Sequence, residues 1–124
     1  MMITSKIKVN DYGDMFAKIK GLDLISYEEY GSYQGRYIVI LKDETTNRLF
    51  YYFGSYGSCS GCDWLQSEMD WNTSEVEYKD ALDYCNVPPK YIVPADQPLE
   101  IKYDENYYNF YLKSNKGKWE EIDD

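Results

Sequence analysis

The run Arg36-Tyr37-Ile38-Val39-Ile40-Leu41-Lys42 limits the fold more than any other segment. It is apolar, β-branched and closed by charge at both ends, so it predicts a strand with both faces buried. A polar connection, Asp43-Glu44-Thr45-Thr46-Asn47, leads to Arg48-Leu49-Phe50-Tyr51-Tyr52-Phe53, a second strand. The two read as an antiparallel hairpin.

Shorter strands are expected on both sides of this pair. Residues 2–9 alternate weakly through Ile3, Ile7 and Val9. Tyr91-Ile92-Val93 is closed by Pro94. Leu99 to Tyr103 alternates, and the tyrosine-rich stretch to Lys113 follows. Ser114-Asn115-Lys116-Gly117 is a turn signal that lets Lys118 to Ile122 pair back. Met15 to Gly21 predicts one or two helical turns stopped by glycine. Tyr27 to Gly35, with Gly31, Ser32 and Gly35, reads as a loop. Two short helices are expected in the middle of the chain. Asp63-Trp64-Leu65-Gln66 has the form of a capping box, and so has Ser74-Glu75-Val76-Glu77, with Asn72-Thr73-Ser74 as the turn leading in. After the second box, Tyr78, Ala81, Leu82 and Cys85 form one apolar stripe, and Pro88-Pro89 ends the helix. The expected architecture is α+β: a single domain over residues 1–124, with an antiparallel sheet from both chain ends and two short helices.

The residue inventory narrows the chemistry. There is no histidine, which removes Ser-His-Asp and Cys-His catalysis, histidine general bases and histidine-containing zinc sites. No nucleotide-cradling glycine loop occurs. No run of five bases occurs, so direct nucleic-acid binding lacks the positive stripe it needs. No apolar run is long enough to span a bilayer, and the N-terminus has no secretory h-region. The expectation is a cytoplasmic, non-enzymatic protein without a cofactor.

The three cysteines are Cys59, Cys62 and Cys85. Three readings compete. Cys59-x-x-Cys62 is a zinc half-site to which Cys85 would add a third thiolate and Asp63 or Asp83 a fourth ligand. The order strand, loop, CxxC, helix also suits a redox dithiol, although Asp63 and Glu68 disfavour the thiolate. The preferred reading is structural, with small thiols packed beneath a helix. The segment Tyr56-Gly57-Ser58-Cys59-Ser60-Gly61-Cys62-Asp63 resembles a YGSCSGCD stretch in small uncharacterised proteins of bacteria and their phages. Gly31-Ser32-Tyr33-Gln34-Gly35-Arg36-Tyr37 is similar to a GxYQGxY stretch upstream in the same proteins. The resemblance covers about a third of the chain and implies a phage or prophage origin. It carries over no catalytic residue.

The charge is uneven. The formal net charge is −9, and residues 1–62 are balanced, so the whole excess lies in residues 63–124. The acids Glu68, Asp70, Glu75, Asp80 and Asp83 stand beside a single lysine, Lys79, in residues 63–83. A solvated surface is the plain reading. The sharper one is a decoy for nucleic acid, in which carboxylates occupy a basic channel on a host protein. Fifteen tyrosines add interface-forming side chains. Tyr37, Tyr51, Tyr78 and Tyr91 are expected in the core, while Tyr27, Tyr30 and Tyr33 are expected in a loop available to a partner. The function expected is a small acidic inhibitor, an anti-CRISPR or anti-restriction protein of phage origin. It would bind a basic nucleic-acid-binding surface through Glu68, Asp70, Glu75, Asp80 and Asp83, with Trp71, Tyr30 and Tyr33 as anchors. The alternatives are a zinc- or thiol-dependent protein using Cys59, Cys62 and Cys85, and a virion structural or assembly protein.

Overall fold

The computed structural model describes residues 5–31, 35–57, 63–107, 109–113 and 117–122. The chain is α+β with antiparallel pairing throughout. In chain order the elements begin with β1 (Lys6–Lys8), α1 (Tyr12–Lys20), β2 (Asp23–Gly31), β3 (Gly35–Asp43) and β4 (Arg48–Tyr56). They continue with α2 (Trp64–Glu68), β5 (Glu75–Glu77), α3 (Tyr78–Tyr84) and β6 (Tyr91–Pro94). The chain ends with β7 (Glu100–Asp104), β8 (Asn109–Lys113) and β9 (Trp119–Glu121).

The central sheet has the order β2-β3-β4-β6. The predicted hairpin is its middle, with Ile38 opposite Phe53 and Leu41 opposite Phe50. Side chains alternate across a strand, and here the alternation separates two cores. Tyr37, Val39, Leu41 and Tyr52 pack with Tyr12, Met15 and Phe16 of α1, Leu65 of α2, Ala81 of α3, and Cys85 at the C-cap of α3. Ile38, Leu49 and Tyr51 face the other way and pack with Phe110 and Leu112 of β8 and with Ile122. The double burial expected of the Arg36–Lys42 run therefore has a layer behind each face.

The strands fall into three sheets rather than one. The N-terminal β1 pairs with β5 from the middle of the chain, and β7-β8-β9 form their own sheet. In the β1–β5 pair Lys6 lies opposite Glu77 and Lys8 opposite Glu75, and opposite charges directly across a pair favour that register.

Four local expectations are corrected. The helical turns near Met15 extend to a nine-residue helix, because Asp11 caps it by accepting from the Asp14 N–H at 2.7 Å. Gly21 stops it as expected, with a left-handed φ of 68°. The stretch after Tyr27 is strand β2 as far as Gly31, paired with β3 through to Gly31 opposite Gly35. A register shift between Leu24 and Ser26 obscures its period. Ser74 does not cap a helix. It has φ 58° and ends a turn leading into β5, and α3 starts only at Tyr78. The stripe on α3 splits: Ala81 and Cys85 are fully buried, while Tyr78 and Leu82 are exposed. Seven residues are too few to bury a stripe of that length, and the inward position between the two is taken by Tyr84.

Candidate functional site

Helix α2 begins at a buried carboxylate. Asp63 is 6% exposed, and its Oδ1 accepts the N–H groups of Leu65 at 3.1 Å and Gln66 at 3.3 Å. This is the N-cap that the sequence predicts. Oδ1 also accepts the hydroxyl of Tyr12, which in turn accepts the Leu65 N–H at 3.0 Å. Burial, reinforced by the bond to Asp63, raises the Tyr12 phenol well above its ordinary range. It therefore stays protonated and keeps donating. Asp63 Oδ2 has no hydrogen-bond partner among the described residues.

Tyr12 belongs to a cluster of rings. It stacks on Tyr37 with centroids 4.5 Å apart. Tyr37 and Tyr84 share a hydroxyl hydrogen bond of 2.8 Å, and Trp64 stacks on Tyr84 at 4.3 Å. α1, α2, α3 and β3 are thus joined through aromatic side chains, and the hydroxyls of Tyr12, Tyr37 and Tyr84 are paired.

β2 adds a second carboxylate. Residues two apart on a strand share a face, and Tyr27 donates its hydroxyl to Glu29 Oε2 at 2.6 Å. Burial, with the hydrogen bond to Glu29 second, raises the Tyr27 phenol far above its usual range. Tyr30 and Glu28 repeat the arrangement on the opposite face. Gly13 allows Tyr27 to lie against α1: a Cβ there would stand 2.5 Å from the Tyr27 Cβ. At the end of β4, the Tyr56 hydroxyl donates to the carbonyls of Tyr30 and Gly31 at 3.2 and 3.1 Å, fixing its ring beside β2.

These groups surround a cleft of about 440 Å³. Tyr12, Tyr27, Tyr56 and Trp71 supply its rings, and Asp11, Glu29 and Asp63 its carboxylates. No lysine or arginine lines it among the described residues. Trp71 is 65% exposed at its rim, in a turn pinned by the Asp70 N–H to Glu75 carbonyl bond of 2.8 Å and by Ser74 N–H to Asp70 carbonyl at 2.7 Å.

Of the described residues expected to bind a partner, Trp71 alone lines this cleft. Glu68 is exposed on α2 and Asp70 in the turn after it. Glu75 stands on β5 opposite Lys8, so its charge is partly balanced. Asp80 and Asp83 are on α3, and Asp83 lies in a separate cleft with Lys20. The acids are thus spread over several elements interleaved with lysines. Tyr30 is corrected from loop to strand: its ring stacks on Tyr103 at 5.1 Å and meets Phe110 edge-on at 5.4 Å, so it serves the second core. Tyr33 lies outside the described residues, as do Cys59 and Cys62. Cys85 is fully buried in the first core, and burial pushes its thiol up to about 12. Among the described residues, no three cysteine, aspartate or glutamate side chains gather in a way that would hold a metal ion. No described helix is long and apolar enough to cross a membrane.

Sequence reasoning missed Asp11, Tyr12, Glu29 and Tyr56. The Asp11-x-x-Asp14 spacing was a usable signal for the first, since it marks the true start of α1. The pairs Tyr27/Glu29 and Glu28/Tyr30, each two residues apart, were a usable signal for strand β2. No known family, curated protein or solved structure matches this chain.

Proposed function

We propose that this chain is a small, non-catalytic binding module that occupies a basic, nucleic-acid-binding surface of a partner protein and so inhibits it. The observation that carries this reading is the cleft itself: three carboxylates and four aromatic rings without a basic side chain among its described lining. A concave site with fixed carboxylates in partly desolvated surroundings attracts cations more strongly than the same charges on an open surface. Exposed Glu68 and Asp70 extend the negative field beyond the rim, and the net charge of −9 adds long-range attraction. Aromatic rings whose hydroxyls are already tied within the protein, as in half-buried Tyr27 and Tyr56, present contact area at low entropic cost. The resemblance of residues 31–66 to phage and bacterial proteins favours an anti-defence role, against a restriction or CRISPR effector.

The test is competition. The immobilised chain is used to retain nucleic-acid-binding proteins from a bacterial lysate at low and high salt. Each retained protein is then assayed for DNA or RNA binding with and without the free chain. Salt-sensitive retention, and loss of nucleic-acid binding on adding the chain, are expected. The double variant Glu29→Lys, Glu68→Lys should weaken the competition at least about tenfold. Retained proteins that bind nucleic acid undisturbed at saturating chain would refute the reading.

A further inference from the structure

Resting on that binding-module reading, we infer that the cleft receives one arginine side chain of the partner, its guanidinium against Trp71 and its donors directed to Asp63 and Glu29. The first ground is the state of Asp63. Nine-tenths of this side chain is buried, and Oδ1 takes all three of its hydrogen bonds. Oδ2 takes none among the described residues, while Asp63 lines the cleft. Oδ2 keeps contact with solvent rather than being sealed in the interior, so it is open to a donor that a ligand brings, and a charged donor there forms the stronger kind of hydrogen bond.

The second ground is the company it keeps. Glu29 is held by Tyr27 through Oε2 alone, so Oε1 remains for a ligand. Trp71 stands exposed at the rim of the same cleft. Indole is the strongest of the aromatic partners for a cation.

The third ground selects among cations. Guanidinium is planar and weakly hydrated. It stacks on rings, and its five donors can serve two separate carboxylates at once. An ammonium is a strongly hydrated point charge and gains less from an aromatic wall. A neutral ligand of the same shape leaves Asp63 and Glu29 without their charge partner.

The test uses three blocked tripeptides, Gly-Arg-Gly, Gly-Lys-Gly and Gly-citrulline-Gly, titrated into the full chain. The Trp71 indole N–H resonance is followed, assigned by its loss in Trp71→Ala. The arginine peptide should shift that resonance to saturation. The lysine peptide should bind at least about fivefold more weakly, and the citrulline peptide should give no saturable shift. Trp71→Ala, followed through the Gln66 amide, and Glu29→Gln should each weaken the arginine peptide by about three- to thirtyfold. Both positions are exposed, and unchanged amide spectra elsewhere will show that the fold is kept. Citrulline binding as well as arginine, or no saturable shift with arginine, would overturn the assignment. If the competition assay succeeds while the arginine titration fails, the cleft assignment falls alone. If both fail, the binding-module reading falls with it.

Discussion

On one face of the central sheet, Tyr12, Tyr37 and Tyr84 stack their rings and hydrogen-bond their hydroxyls to Asp63 and to each other. On the other, Ile38, Leu49, Phe110, Leu112 and Ile122 carry no polar atoms, and Tyr51 is buried among them with its hydroxyl accepting the Leu99 N–H at 3.1 Å. Both faces exclude water, but by different means. The apolar face gains from area and close packing, which are non-directional. The tyrosine face also fixes where each hydroxyl and carboxylate points. The cleft opens on the tyrosine face, where Asp63, Tyr12 and Tyr27 are oriented by that network. A site whose groups must be held at defined angles belongs on the directional face.

The largest effect should come from the apolar face. Phe110→Ala removes its central ring, which touches Tyr30, Phe53 and Tyr103, and should cost about 3–5 kcal/mol in urea unfolding. Under conditions where the variant remains folded, it should bind the arginine peptide as the parent does, because no described side chain of that core lines the cleft. Coupled losses of stability and peptide binding would show that the two faces are not independent.

Gly13→Ala works from the other side. The added methyl meets Tyr27 at 2.5 Å, so Tyr27 must move. Overpacking of this kind costs about 1–3 kcal/mol. Here, unlike Phe110→Ala, stability and peptide affinity should fall together, since Tyr27 also orients Glu29.

Alkali separates the two means of burial directly. Burial raises the phenols of Tyr12 and Tyr37, so the folded chain holds protons that the unfolded chain releases near pH 10. Their contribution is complete below that pH and is lost as pH rises beyond it, at about 1.4 kcal/mol per pH unit for each tyrosine. Tyr37→Phe keeps the ring and removes the proton. It should lower stability at neutral pH by about 1 kcal/mol through the lost bond to Tyr84. It should also flatten the alkaline fall by one tyrosine's slope, measured by urea titrations between pH 8 and about pH 11. An unchanged slope would mean that this phenol is not shielded in solution.

The smallest effect is expected at the surface. Lys6→Ala breaks the cross-strand partnership with Glu77, and thermal unfolding should register a loss below about 1 kcal/mol. A larger loss would mark β1–β5 as part of the first core's support.

The contrast between the faces also explains what was legible beforehand. The continuous apolar run of Arg36–Lys42, the aromatic run from Arg48 and the turn signal of the C-terminal hairpin are local patterns, and each element forms where its pattern predicts. The Asp63 cap was legible because an N-cap is a local device. β2 was hidden because each of its faces carries a glutamate beside a tyrosine, Tyr27 with Glu29 and Glu28 with Tyr30, so no apolar alternation shows, and turn-forming glycines at its end made it loop-like. Ser74 showed the letters of a cap, but the turn from Asp70 and the pairing of Glu75–Glu77 with β1 claimed those residues for a strand. Tertiary pairing outweighed local preference there. The cleft was not legible as a unit, because Asp11, Glu29, Tyr56 and Asp63 meet only once β2 and β4 are aligned beside α1. Charge counted along the chain directed attention to Glu68–Asp83 instead.

Cys85 caps the end of α3 with its sulfur in the first core and no exposed surface. A thiol so placed is beyond the reach of alkylating reagents while the native packing holds. Its rate of modification, read on the peptide that contains residue 85, therefore reports how often the helices lift from the sheet. The chain carries its own clock for that opening, with no label to be introduced.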